Sequence, residues 1–238
     1  MLIYGINAVM EALKAKRATL VRVAPRADDR LTQIVRLAEA QGVRVERVGG
    51  DALDRLGGRQ RHQGVIADVA DAASYSVEDL VIGAKAAPLL VVLDGIEDPH
   101  NVGAILRTVD AAGGDGVIRQ SRHAARLDGA AAAASAGAVA HVKVAEVVNI
   151  ARAIEILKDS GVWTVGLAGD APQRYDQVDL TQPTAIVVGA EGTGLRRLVR
   201  ERCDWLVSIP MAGHVQSLNV SVAAGIALFE AVRQRLQK

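Results

Sequence analysis

A chain of 238 residues with half of its positions apolar can build one large domain or two small ones, each with its own core. Its formal net charge of +1 excludes a global basic field as the means of gathering nucleic acid, so any such footprint must come from local clusters. Aromatic residues are only 3%, which argues against base-stacking platforms, and the single Cys203 excludes an internal disulfide or a thiol-rich zinc site. No apolar stretch approaches the roughly 20 residues that span a bilayer, and Met1 to Gly5 lacks the basic start and long apolar centre of a secretory leader. The expectation is a cytoplasmic protein with no membrane association.

The first 70 residues read as a small α/β domain. Ile6, Val9, Met10 and Leu13 fall at helical spacing, Leu20 to Val23 forms a short strand, and Leu31, Ile34, Val35 and Ala38 mark a helix ended by Gly42. Val43, Val45 and Val48 suggest a strand, Ala52 to Leu56 a short helix, and Gly64 to Val69 another strand. Between the last two lies a glycine-bounded loop, Gly57 to Gly64, that carries Arg59, Arg61, His62 and Gln63. A solvated turn accounts for it, and so does an RNA-contacting loop, because Arg and Gln side chains grip phosphates and base edges. Residues 71–87 are small, polar and charged and read as a linker with one helical turn from Val77 to Leu80.

From Pro88 onward, strands and helices alternate: Leu89 to Leu93, Asn101 to Ala112, Gly116 to Arg119, a helix through Ala130 to Ala134, Ala140 to Val144, Ile150 to Lys158, Val162 to Leu167, Ala185 to Val188, Leu195 to Arg202, Trp205 to Ile209, and a final helix. Such alternation predicts a parallel sheet with helices on both faces, and ligands of such sheets bind at the carboxyl ends of the strands. Asp98 and Pro99 suit a helix start; Gly103, inside that helix, costs up to about 1 kcal/mol against Ala and needs a close approach to justify it. Arg107 shares a face with Gly103, and a surface salt bridge is its default role. Cys203 reads as a small core residue, and the last helix is expected to bury Val222, Ile226, Phe229, Val232 and Leu236. His100, His123, His141 and His214 are scattered without the spacing of a metal site.

The run from Ile186 to Ser221 concentrates the chemistry. A buried strand breaks into Gly189-Ala190-Glu191-Gly192-Thr193-Gly194, whose spacing, G-x-x-G-x-G, is neither the dinucleotide fingerprint nor a P-loop. Glycines there allow backbone N–H groups to approach a ligand, and Glu191 adds a fixed charge. A second strand ends in Pro210-Met211-Ala212-Gly213, and Ser217-Leu218-Asn219 opens the last helix, where Ser217 or Asn219 would serve equally as a simple cap.

GAEGTGLRR, SIPMAG and SLNVSVAAGIALFE resemble the second and third motifs of the SpoU family of the SPOUT methyltransferases, and DPHNVGAILRTVDAAG resembles the first. The likeness spans roughly the whole chain and is nearest to the branch that methylates a guanosine ribose in large-subunit (23S) ribosomal RNA. YGINAV and HQGV resemble that branch's small ribosomal-protein-like domain, which helps select RNA, so the resemblance implies an RNA-binding domain over 1–70, a linker over 71–87 and a catalytic SPOUT domain over 88–238. It further implies a C-terminal trefoil knot, a homodimer and S-adenosylmethionine as methyl donor. Gly189, Glu191, Gly192, Ile209, Met211 and Leu218 would surround that cofactor, the last three supplying the apolar slot that adenine requires. Arg107 would be the catalytic residue, with Asn101, Glu191, Ser217 and Asn219 around the reacting groups, and Arg59, Arg61, His62 and Gln63 would touch RNA. No metal is needed, because a sulfonium methyl donor is already activated. A transfer-RNA ribose methyltransferase and a non-catalytic RNA-binding protein are the rival readings; a dinucleotide oxidoreductase is argued against by the glycine spacing.

Overall fold

The computed structural model describes residues 1–25, 28–57, 62–70, 74–122, 124, 127 and 129–237. Its contacts divide into two units: Met1–Ala72 with Val102–Arg107 and Arg126–His141, and Ala73–Asn101 with Thr108–Ala125 and Val142–Lys238.

In the first unit the chain runs β1 (Leu2–Tyr4), α1 (Ile6–Lys14), β2 (Ala18–Val23), α2 (Asp29–Ala40), β3 (Arg44–Arg47), α3 (Gly50–Gly57) and β4 (Val65–Val69). The sheet order is β1-β4-β2-β3, with β4 antiparallel to both neighbours and β2 parallel to β3. Helix α1 forms because Ile6, Val9 and Leu13 share its buried face, and α2 because Leu31, Ile34 and Ala38 do the same, with Asp28 capping its first turn. Also in this unit, α6 (Gly129–Ala134) crosses the Val102–Arg107 segment so closely that a Cβ on Gly103 would lie 2.5 Å from the carbonyl oxygen of Ala131 and 2.6 Å from Ala134 Cβ. The glycine inside a helix is therefore explained by a backbone crossing, and the alanine run by its small bulk on the other side.

The second unit holds α4 (Val77–Ile82), β5 (Leu89–Asp94), β6 (Gly116–Gln120), β7 (Val144–Val147), α7 (Ile150–Asp159), β8 (Trp163–Leu167), β9 (Gln173–Arg174), β10 (Thr184–Gly189), α8 (Arg197–Arg202), β11 (Trp205–Ser208) and α9 (Val220–Leu236). Helix α5 (Pro99–Ala111) begins in this unit, capped by Asp98, which accepts from His100 N–H at 2.9 Å with Pro99 in the first turn. The seven strands run in the order β7-β6-β5-β10-β8-β11-β9, and every pairing is parallel. Strands β5 and β10 lie at the centre and are buried on both faces, which is why they read as unbroken apolar runs. Leu90, Val92, Ile118, Ile150, Ile154 and Val187 form the core of one face, and Leu80 of α4 is completely buried against it. The segment expected to be a linker thus contributes a helix with a Ser76/Asp79 capping box to this unit.

Three sequence expectations are corrected. The strand expected at Ala140 to Val144 lies at Val144–Val147, because left-handed Gly137 starts a 3₁₀ turn over Ala138–Ala140. Helix α8 begins at Arg197 and not Leu195, because Arg196 is extended and held by Asp94. In α9 the buried face is Val220, Ala224, Ala227, Leu228 and Ala231, whereas Val222, Phe229 and Leu236 are 49%, 48% and 82% exposed. Small residues bring α9 close against β10, so the bulkier side chains are turned away.

Candidate active site

Strand β10 ends at Gly189, beside Asp94 at the end of β5. The chain then closes a tight loop in which Gly194 N–H donates to Ala190 O at 2.8 Å, with Gly192 and Gly194 at φ of 80° and 68°. A Cβ on Gly189 would fall 2.2 Å from the Gly194 carbonyl carbon, so only glycine leaves room for the returning backbone. Asp94 is fully buried and accepts from Arg196 N–H at 2.8 Å and Nε–H at 2.6 Å, which fixes the far end of the loop. A buried carboxylate needs such a pair, and the bond also satisfies a free N–H at the start of α8.

This loop, the ends of β8 and β11, and the entry to α9 enclose a cavity of about 620 Å³, within the range of cofactor sites. Gly189, Glu191, Gly192, Ile209, Met211, Ser217, Leu218 and Asn219 all line it. Leu167 to Asp170, after β8, complete the wall, and Arg200 grips Asp170 through two bonds of 2.8 and 3.0 Å. The β8 end was missed from sequence, although its place at the carboxyl end of a parallel strand was signal enough.

Asn219 Nδ2–H donates to Asn101 Oδ1 at 2.9 Å and to Glu191 Oε1 at 2.7 Å, while its Oδ1 accepts from Ser221 N–H at 2.9 Å. Capping α9 and joining Asn101 to Glu191 therefore use different atoms of one side chain. Asn101 is 6% exposed and lies on the wall of a second cavity, about 540 Å³, that also takes in Glu97, Gln120 and Arg196. Ala190, Glu191, Thr193 and Gly194 line both cavities.

Arg107 is exposed on α5, has no hydrogen-bond or ion-pair partner among the described residues, and lines neither cavity. Six residues of helix place it about 120° round the axis from Asn101. Arg59 and Arg61 lie outside the described residues. His62 accepts from Gly64 N–H at Nδ1, which leaves Nε2–H to donate to Asp54 at 3.0 Å, and Gln63 Oε1 accepts from Ile6 N–H at 3.0 Å at the start of α1. Both side chains thus hold the first unit together locally. The Cys203 thiol donates to Val199 O, and burial, reinforced by Asp204 and Asp94, pushes its pKa up to about 12, so it is no nucleophile near neutrality. Among the described residues no group of three His, Cys, Asp or Glu could hold a metal, and no helix is long and apolar enough to cross a membrane.

A doubly covered parallel sheet with a cofactor-sized cavity formed by a tight glycine loop at its strand ends defines a class of nucleotide-cofactor enzymes. Within it, residues 88–229 match the model of the SpoU rRNA methylase family, and residues 2–75 match that of RNA 2′-O ribose methyltransferase substrate binding. The chain belongs to the SpoU rRNA methylase family. A relative from Burkholderia sp., 23S rRNA (guanosine-2′-O-)-methyltransferase RlmB, is 46% identical and covers 100% of this chain and 98% of its own. The protein of the same name from Photobacterium profundum is 46% identical over 98% of both chains. Among solved structures, the SpoU methyltransferase AviRb from Streptomyces viridochromogenes in complex with AdoMet superposes with a TM-score of 0.86 at 26% identity, covering 100% of this chain and 91% of that one. An AdoMet-bound rRNA methyltransferase from Sinorhizobium meliloti gives 0.81 at 26% identity, over 98% and 86% of the two chains.

Proposed function

We propose that this protein transfers a methyl group from S-adenosylmethionine to the ribose 2′-hydroxyl of a guanosine in 23S ribosomal RNA. The observation that carries the reading is the hydrogen-bonded set Asn101–Asn219–Glu191 on the boundary of two cavities, in a chain that matches guanosine 2′-O-methyltransferases over its full length.

The residues fit the cofactor. Gly189 and Gly192 bring backbone groups to the cavity, Ile209, Met211 and Leu218 give adenine an apolar surface, and Glu191 stands ready for a polar or cationic group. When bound, S-adenosylmethionine supplies an activated methyl group on a sulfonium centre. The protein's work is then to hold a hydroxyl oxygen in line with that methyl group and to exclude water. Asn219, whose Nδ2–H donates to both Asn101 and Glu191 while its Oδ1 accepts from Ser221 N–H, holds Glu191 in one orientation, and Ser217 offers a hydroxyl on the same wall. Arg107, exposed and without a partner among the described residues, can take a phosphate next to the acceptor ribose as a bidentate clamp. As a general base, any arginine must come down about five pKa units, roughly 7 kcal/mol of differential destabilisation, which makes the clamp the cheaper role.

Residues 1–70, with Arg59, Arg61, His62 and Gln63 in or beside one loop, select the RNA; 71–87 join them to the catalytic domain over 88–238. A homodimer is supported by Val222, Phe229 and Leu236, seven residues apart and therefore on one uncovered stripe of α9. A C-terminal trefoil knot is supported by family membership and by the sheet order, in which β10 lies inside β5 and β8 before the chain returns through β11 to α9. We place its site of action in the cytoplasm, with the ribosomal RNA it modifies.

Calorimetry with S-adenosylmethionine, together with mapping of ribose methylation in RNA from cells with and without the protein, tests the reading. Saturable binding and one lost 2′-O-methylguanosine in 23S RNA are expected. Absence of binding would leave a non-catalytic RNA-binding protein, and a lost methyl group in transfer RNA would move the substrate.

A further inference from the structure

Resting on the methyltransferase reading above, we propose that Glu97 and Gln120 read the base of the acceptor nucleotide and make the site selective for guanine. Both line the second cavity, at the ends of neighbouring strands: Glu97 in the turn after β5, and Gln120 as the last residue of β6. Neither side chain has a hydrogen-bond or ion-pair partner among the described residues, although Gln120 is half-buried. An amide on a cavity wall that water can reach exchanges that water for the donor or acceptor of a ligand entering the cavity.

The charge of that wall decides what enters. Among the described residues of that wall, Asp94, Glu97, Asp98 and Glu191 face one cation, Arg196, whose charge is already taken by Asp94. A phosphate is repelled there, so the backbone of the RNA stays outside and an uncharged base or ribose occupies the space. Asp98 spends one oxygen on the cap of α5 and Glu191 one on Asn219, whereas neither oxygen of Glu97 is bonded among the described residues, so Glu97 can offer both to a ligand. Guanine presents N1–H and N2–H₂ side by side, two donors that match one carboxylate, with O6 next to them to accept from an amide N–H. Adenine offers an acceptor at N1, which a carboxylate repels. At about 540 Å³ the cavity has room for a nucleoside, and it shares the wall Ala190 to Gly194 with the cofactor cavity, so a base seated in it keeps its ribose beside Glu191 and Asn219.

The test is single-turnover methyl transfer to a 23S RNA fragment carrying guanosine, inosine or adenosine at the mapped acceptor position, with wild type, Glu97→Gln and Gln120→Ala. Wild type is expected to favour guanosine over inosine by about 10-fold and over adenosine by about 100-fold or more. Glu97→Gln should lower the guanosine rate by about 10- to 100-fold and shrink the guanosine-to-adenosine ratio, because its amide N–H can donate to adenine N1; Gln120→Ala should cost guanosine and inosine alike about 10-fold. S-adenosylmethionine affinity and the melting temperature should stay at wild-type values in both variants. Unchanged base ratios beside normal wild-type turnover overturn the base-reading role alone. Wild-type protein that transfers no methyl group to the guanosine RNA overturns the methyltransferase reading and this role with it.

Discussion

Gly189→Ala tests whether the tight loop determines cofactor binding. The backbone of Gly189 is not in the left-handed region, so alanine is conformationally acceptable there and the only obstacle is space. Its Cβ would lie 2.2 Å from the carbonyl carbon of Gly194, 2.3 Å from that residue's oxygen and 2.3 Å from Leu195 N, all backbone atoms that no rotamer change can move. Restoring van der Waals distance requires the returning strand of the loop to shift by at least about 1 Å, which breaks the Ala190–Gly194 bond and strains the Asp94–Arg196 anchor. Overpacking of this kind costs up to about 3 kcal/mol or somewhat more, equivalent to roughly 100-fold in dissociation constant if the loop binds only in its present form. The matched control is Gly192→Ala, at φ of 80° but with open space around its Cβ, which should lose only the 1–2 kcal/mol or so of left-handed strain, about 10-fold. Isothermal titration with S-adenosylmethionine measures both. Binding by Gly189→Ala within threefold of wild type would refute the idea that this crossing shapes the cavity.

Arg107→Lys and Arg107→Ala separate two roles by single-turnover methylation across a pH series: a clamp predicts that both fail and lose RNA affinity with no rescue at high pH, whereas a base predicts Lys activity that rises with pH. Near-wild-type turnover by Arg107→Ala would remove both roles. Replacing Arg59 and Arg61 together by Ala should weaken RNA binding and flatten the slope of log K against log salt by about one to two, with cofactor affinity unchanged; an unaltered slope would return that loop to a solvated turn. Cys203, with its pKa raised in the fold, should resist iodoacetamide at pH 8 until the protein is unfolded. Because the folded state holds that proton more tightly, the thiol's contribution to stability is complete below the unfolded pKa and is lost as pH rises toward about 12; urea titrations of wild type and Cys203→Ala above pH 9 should therefore converge.

The central strands and the motif loops were legible because their signals are local. β5, β8 and β10 are apolar runs, and the loop after β10 carries its glycines and Glu191 in consecutive positions. Strands β1 and β9, of three and two residues, are too short to show a period. Helix α9 misled because a stripe of large residues at helical spacing outweighs alanines in any count of hydrophobicity, yet it is Ala224, Ala227 and Ala231 that pack. The second cavity was illegible for a different reason: Asp94, Gln120 and Arg196 are far apart in the chain and meet only through strand order. Likewise, that His62 and Gln63 face Asp54 and the start of α1 depends on which donors the fold brings near, information that spacing does not contain.

The position of β10 has a consequence for how the protein is made. Leu89 of β5 pairs with Thr184 of β10, roughly 95 residues later, and at synthesis rates of about 5–20 residues per second the partner emerges some 5–20 s behind. β6 follows much sooner and can cover one edge of β5, but the other edge, Leu-Leu-Val-Val-Leu, waits unpaired. A bare apolar edge of that composition invites pairing with another chain. The yield of native enzyme in a cell is therefore set by translation speed and by the chaperones present during that interval, as much as by the stability of the finished fold.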